Sequence, residues 1–184
     1  VPLELRLRRK RRKPKLVMFL DVSTSMRPVA EFFLRLLYQL QDQVQKSHSF
    51  AYIDHLEDVT AELKTLTMDE AVQVILSKLP PGYYSTHFGG SLRQFTADHL
   101  GSVDQRTTVI VLGDARNNYR DPALDAFKEL QQRSRRVLWM TPEYPAQWGT
   151  GDSDMLEYVP HCSEVYQVRN LNQLADAIDS MLAS

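Results

Sequence analysis

Two hydrophobic periods alternate along this chain. Leu16-Val17-Met18-Phe19-Leu20 is an unbroken apolar run that stops at Asp21, the pattern of a strand buried on both faces. Residues 107–112 and 137–140 repeat that pattern, and residues 50–53 and 164–168 read as two more strands. Between the strands the spacing turns helical. Phe33, Leu36, Leu37, Leu40 and Val44 predict a helix from Pro28, a residue suited to a first helical turn, to about Lys46. Val72, Ile75, Leu76 and Leu79 predict a second helix, opened by the capping pair Thr67 and Glu70 and stopped by Pro80-Pro81-Gly82. Leu92, Phe95 and His99 predict a third, ending near Gly101. Leu124, Phe127 and Leu130 predict a fourth, begun by Asp121-Pro122. Leu171, Leu174, Ile178 and Leu182 predict a last one, capped by Asn170. Residues 57–60 are expected to form a short edge hairpin with residues 50–53, and Leu3, Leu5 and Leu7 permit a further edge strand.

Strands and helices alternate throughout. The expectation is an α/β fold: a three-layer, doubly wound, mostly parallel sheet with one antiparallel edge strand and right-handed crossovers. The 184 residues suffice for one sizeable core, divided here into a basic leader over 1–15 and a single domain over 16–184.

Charge sharpens that division. The net charge of −1 hides an asymmetry. The leader holds eight Lys/Arg and one acid (+7), and the remainder holds 14 bases and 22 acids (−8). A solvated connector is the plain reading of the leader. The sharper one is a tether, through residues 6–15, to an anionic membrane surface, to nucleic acid or to an acidic partner. No aromatic residue interleaves these charges, which weakens a single-strand nucleic-acid platform. No apolar run approaches a membrane span, and the one after the leader is too short for a signal peptide. Cys162 is the only cysteine, so one chain makes neither a disulfide framework nor a cysteine zinc site, and a reducing, cytoplasmic location is expected. The chain opens on Val1, not Met, which is compatible with a piece of a longer protein.

Three loops at strand or helix ends carry oxygen donors. They are Asp21-x-Ser23-x-Ser25, the segment Ser85-Thr86-His87-Phe88-Gly89-Gly90, and Gly113-Asp114. In an open α/β sheet ligands bind beyond the carboxyl ends of the strands, and carboxylate and hydroxyl oxygens suit hard cations. Taken alone, Asp21, Ser23 and Ser25 serve equally well as a helix cap with an Asx-turn. With Thr86 and Asp114 added, a cation site is favoured.

The set Asp21, Ser23, Ser25, Thr86 and Asp114 resembles the metal-ion-dependent adhesion site of von Willebrand factor A (VWA) domains. A narrower resemblance, to the CoxE-like branch, covers nearly the whole chain. It rests on the basic run before the first strand, Thr86-His87-Phe88-Gly89-Gly90-Ser91-Leu92, and Leu112-Gly113-Asp114-Ala115-Arg116-Asn117-Asn118-Tyr119. Thr141-Pro142-Glu143, Trp148-Gly149, Gly151-Asp152-Ser153 and Tyr158-x-x-His161-Cys162 extend it. The resemblance implies that Ser23, Ser25 and Thr86 give hydroxyl oxygens to Mg²⁺ (or Mn²⁺ or Ca²⁺). Asp21 and Asp114 would bind directly or through water, with one position left for a partner's carboxylate. It further implies a non-enzymatic protein-binding module that partners a MoxR-type AAA+ ATPase in metalloenzyme maturation or cofactor insertion, with no small-molecule substrate. Two positions depart from the family pattern: Thr24 and Ala115 stand where Gly is frequent.

The alternative is a Mg²⁺-dependent hydrolase or phosphotransferase with Asp21 as phosphoryl acceptor. Against it, the second position after Asp21 is Ser23 and not an acid, and neither a Walker loop nor a Gly-x-Ser-x-Gly elbow occurs. Among other polar and aromatic residues, His87 reads as a surface or hydrogen-bonding residue, His161-Cys162 and Trp139 as packing, and Asp152 and Asp154 as solvated loop acids. Trp148 is balanced between a partner anchor and a lid over the helices. Arg116 and Tyr119 are candidates for the rim of the binding face.

Overall fold

The computed structural model describes residues 15–40, 44, 46–80 and 85–183. The proposed edge strand at Leu3, Leu5 and Leu7, the leader up to residue 14, and Tyr83 and Tyr84 lie outside these residues. Among the described residues six strands form one sheet: β1 (Lys15–Asp21), β2 (Lys46–Tyr52), β3 (Leu56–Asp58), β4 (Thr107–Leu112), β5 (Arg136–Thr141) and β6 (Glu164–Gln167). Their order is β3-β2-β1-β4-β5-β6, parallel except for β3, which runs antiparallel to β2. The expected α/β architecture with one antiparallel edge is therefore the observed one.

Among the described residues seven α-helices flank the sheet: α1 (Arg27–Leu40), α2 (Thr60–Thr65), α3 (Met68–Lys78), α4 (Phe88–Asp98), α5 (Leu124–Arg133), α6 (Met155–Tyr158) and α7 (Leu171–Ala183). Alternate side chains of each buried strand enter opposite layers. Leu16, Met18 and Leu20 of β1 join Phe33, Leu37, Ile75 and Leu174 from α1, α3 and α7 in one layer. Val17 and Phe19 join Phe88, Phe95, Phe127 and Tyr158 from α4, α5 and α6 in the other. This second layer is aromatic. Phe88 meets the rings of Phe19, Tyr52, Phe127, Trp139 and Tyr158 at centroid distances of 5.0–6.4 Å.

Several boundaries differ from expectation. Lys46 opens β2 and does not end α1, and Lys15 is the first residue of β1, where it pairs with Asp104. Thr60 begins α2, a helix the hydrophobic pattern does not announce because it buries Leu63 alone. Gly89 and Gly90 belong to the first turn of α4 and not to a loop. Helix α5 starts at Leu124 because Ala123 adopts a left-handed conformation and the Asp121 carboxylate accepts from the Ala123 N–H. The capping pair is as expected, with Glu70 accepting from the Thr67 N–H at 3.0 Å, and Asn170 accepts from the Gln173 N–H at 3.0 Å at the start of α7.

Chain order reverses at β1. Its successor β2 lies on one side and β4 on the other, which makes the carboxyl ends of β1 and β4 the switch point at which open α/β sheets bind ligands. The aromatic layer forms the floor beneath it. Phe88→Ala, which removes the shared ring, is expected to cost about 3–5 kcal/mol of stability in denaturant unfolding. Phe32, half-buried against the other layer, should cost distinctly less when truncated in the same way.

Candidate metal centre

Asp21 ends β1, and Asp114 follows β4 by two residues. Both are buried, at 0% and 3% exposure. The turn after β1 folds back on its own carboxylate: the Ser23 N–H donates to Asp21 Oδ1 at 2.8 Å, an Asx-type closure. That turn brings two hydroxyls together, with Ser23 Oγ and Ser25 Oγ 3.2 Å apart. Ser25 Oγ donates to Asp114 Oδ2 at 2.7 Å, and the Arg116 N–H donates to Asp114 Oδ1 at 3.2 Å. Hydrogen bonds thus join Asp21, Ser23, Ser25 and Asp114. Thr86, buried just before α4, is tied in through its carbonyl, which accepts from Asn118 Nδ2 at 2.9 Å. Ser25 and Thr24 are exposed, so the cluster opens to solvent on that side.

Electrostatics set the character of the crevice. Burial raises the pKa of Asp21 well above the carboxylate range, and the neighbouring Asp114 charge pushes it further; donation from Ser23 opposes both. Burial also raises Asp114, against the donors Ser25 and Arg116. Two carboxylates held together in a low-dielectric site resist being ionised at once. Asp21 Oδ2 is buried and makes no well-formed hydrogen bond. The Arg116 guanidinium passes 3.9 Å from Asp114 Oδ2 but is committed elsewhere. It donates to Glu143 Oε1 at 2.6 Å and to Asp152 Oδ1 at 2.7 Å. Burial alone would lower the pKa of Arg116; those two carboxylates outweigh it and hold it above its ordinary value.

The pattern of hydroxyls and carboxylates in the sequence points to this cluster, but not to the residues that brace it. Asn117, fully buried, accepts from the Gly89 N–H at 2.9 Å and donates to Asp154 at 2.8 Å and Tyr158 Oη at 3.0 Å. Asn117 and Asn118 therefore lock the Asp114 loop to the segment that carries Thr86. Their one advance signal is the Asn-Asn pair after a strand, since Asn tolerates the left-handed conformation that Asn118 adopts at φ 51°. Asp152 and Asp154 are corrected from solvated acids to partners of Arg116 and Asn117. Arg116 is likewise turned inward, whereas Tyr119 is 84% exposed on the rim.

Gly89 and Gly90 are needed where they stand. A Cβ on Gly89 would lie 2.0 Å from the Asp121 carbonyl oxygen, and one on Gly90 2.6 Å from His87 Nδ1. His87 itself occupies the N-cap position of α4, and its Nε2 lies 3.2 Å from that carbonyl oxygen. Ala115 holds a left-handed φ of 60°, a conformation that favours the glycine frequent at this position of the family.

The remaining singled-out residues are structural. Trp139 is buried and donates from Nε1 to the Gly113 carbonyl at 2.9 Å. Trp148 packs partly buried on the aromatic layer. Cys162 donates weakly to the Tyr158 carbonyl, and burial pushes its thiol up to about 12, so it is not poised as a nucleophile.

Among the described residues no three or more His, Cys, Asp and Glu side chains gather to hold a metal. The crevice instead combines two carboxylates with hydroxyls, a hard oxygen set of the kind Mg²⁺, Mn²⁺ and Ca²⁺ take. Among the described residues no helix is long and apolar enough to cross a membrane.

Known structures share this fold. A von Willebrand factor type A protein from Catenulispora acidiphila superposes with a TM-score of 0.60 at 14% identity, over 92% of this chain and 42% of that one. BatB from Bacteroides thetaiotaomicron superposes with a TM-score of 0.55 at 17% identity, over 92% and 97% of the two chains. Proximal thread matrix protein 1 from the mussel byssus gives a TM-score of 0.59 at 15% identity, over 90% and 44%. The chain thus spans about two fifths of the Catenulispora protein's length. At these identities the likeness is one of fold. No curated protein matches the sequence. The family described as VWA domain containing CoxE-like protein matches residues 1–176, and the chain belongs to that family.

Proposed function

We propose that this chain is a metal-dependent protein-binding module whose crevice holds Mg²⁺, or Mn²⁺ or Ca²⁺, between Ser23, Ser25, Thr86, Asp21 and Asp114. VWA domains commonly mediate protein interactions, which supports the protein-binding part of this proposal. The observation that carries the metal is the buried carboxylate pair, with both pKa values raised and Arg116 already engaged by Glu143 and Asp152. A dication supplies the charge that this pair lacks. When bound it acts as a Lewis acid that accepts an oxygen ligand from outside. The chain's own residues hold it with few charges, and the exposed side at Ser25 admits a partner's Asp or Glu. The partner proposed from the family resemblance is a MoxR-type AAA+ ATPase, acting with this chain in metalloenzyme maturation or cofactor insertion in the cytoplasm. Full burial of Asp21 supports its role as a holder of the site over that of a phosphoryl acceptor.

Titration with Mg²⁺ or Mn²⁺ is expected to raise Tm, by the equivalent of about 2.7 kcal/mol at a hundredfold excess over Kd. Asp21→Ala or Ser23→Ala should abolish that shift; absence of any shift in the wild type overturns the metal.

The carboxylate pair also fixes a pH dependence. A carboxyl whose pKa is raised on folding binds more protons folded than unfolded, so its contribution to stability falls as pH climbs above the unfolded value of about 3.9. Without metal, Asp21→Asn should therefore be more stable than wild type near pH 7, by a margin that shrinks toward pH 4 in parallel thermal melts. Saturating Mg²⁺ should reverse the order.

The partner is tested by capturing a co-encoded MoxR-type ATPase on the immobilised full chain. Capture should be lost with chelator and in Thr86→Ala. Survival of capture in both would sink the carboxylate bridge.

A further inference from the structure

Tyr52 ends β2 and is the parallel register partner of Asp21 on the neighbouring strand. Both side chains therefore leave the same face of the sheet, toward α4. The Tyr52 ring belongs to the aromatic layer, 5.0 Å from that of Phe88, and is fully buried. Its hydroxyl is a buried polar atom that makes no well-formed hydrogen bond. Asp21 Oδ2 is another, and the other oxygen of that carboxylate is already taken by Ser23.

Gly113 shows how closely the two approach. A Cβ built there would lie 2.7 Å from Tyr52 Oη, 3.2 Å from Asp21 Cβ and 3.5 Å from Asp21 Oδ2. Gly113 has an ordinary negative-φ role to fill, so turn geometry does not demand glycine here; the space shared by the phenol and the carboxylate does. A buried hydroxyl left unpaired costs about 1–3 kcal/mol, and removing it outright would be the cheaper choice for a residue that served packing alone.

We propose that Tyr52 is a positioning residue of the metal centre: its hydroxyl donates to Asp21 Oδ2 and aims the carboxylate at the cation, while Gly113 keeps the space between β1 and β4 clear for that bond. The inference rests on the metal reading above. With Ser23 N–H on one oxygen and Tyr52 O–H on the other, Asp21 is held by donors on both sides. It then acts on the cation from a fixed orientation, and the cation keeps an unsatisfied demand for an outside carboxylate.

The experiment is a Mn²⁺ titration of the full chain, with free Mn²⁺ read by electron paramagnetic resonance and the metal-free Tm measured alongside. Tyr52→Phe keeps the ring and is expected to fold. Loss of an outer-shell partner typically weakens metal binding by about 10- to 100-fold, and a Kd raised into that range is expected with little change in metal-free Tm. Phe95→Leu, in the same aromatic layer, should lower Tm and leave the Kd unchanged, which separates positioning from stability. Gly113→Ala places a methyl against the phenol oxygen and should also weaken binding. In the Tyr52→Phe background that methyl no longer meets the phenol oxygen and keeps only van der Waals contact with Asp21, so the two losses should not add. An unchanged Kd in Tyr52→Phe with saturable wild-type binding overturns the role of Tyr52 and leaves the metal centre standing. No Mn²⁺ binding by the wild type overturns the metal centre and this inference with it.

Discussion

Two carboxylates buried side by side at the ends of adjacent parallel strands are the constraint around which this molecule is built. The pairing of β1 with β4 brings Asp21 and Asp114 to the same end of the sheet. Their neighbours answer that constraint in order of proximity. Backbone N–H groups of Ser23 and Arg116 and the hydroxyl of Ser25 donate to them directly. Arg116 stands one step back, divided between Glu143 and Asp152. Asn117 and Asn118 then bind the loop to the start of α4. Local donors reduce the repulsion without cancelling it, and that residue of charge is the basis of the functional reading.

Much of the fold was legible because a strand buried on both faces must be apolar at every position. Strand β4 coincides with the run expected for it, and β1 and β5 differ from theirs by one or two residues. Strand β2 was read short for the converse reason. Its first half buries Ser47 and Ser49, so the hydrophobic pattern is silent there, and Thr60 Oγ1 accepts from the Ser49 N–H at its edge. Helix α1 is described over Arg27–Leu40, and Val44 lies outside a helix although it keeps helical phase with Phe33, Leu36 and Leu37. Short helices such as α2 and α6 carry too few buried positions for any period to register.

At the site the same contrast holds. Asp21, Ser23, Ser25 and Asp114 were legible because acids and hydroxyls interrupt apolar runs at strand ends, and the folded chain links them by hydrogen bonds. Asn117, Tyr52 and Glu143 were not. Each acts across a long sequence separation: Asn117 on Gly89, Tyr52 on Asp21, Glu143 on Arg116. Nothing local in the sequence marks an Asn that accepts from one helix and donates to another. Asp152 and Asp154 were misjudged for the same reason, since an acid in a Gly-rich loop looks solvated until its cation arrives from another loop.

The strand that closes the sheet beside β2 has a consequence for how the protein meets others. An unpaired sheet edge invites a foreign strand, and long, flat, apolar edges polymerise. Here one boundary is β3, three residues long, turned antiparallel and carrying Glu57 and Asp58. The opposite boundary, β6, is four residues long and opens with Glu164. Among the described residues neither offers a ladder long enough to template growth, so lateral stacking is discouraged on both flanks. On the function proposed above, association falls instead to the loop-bearing end of the domain, where recognition depends on side chains and can be selective.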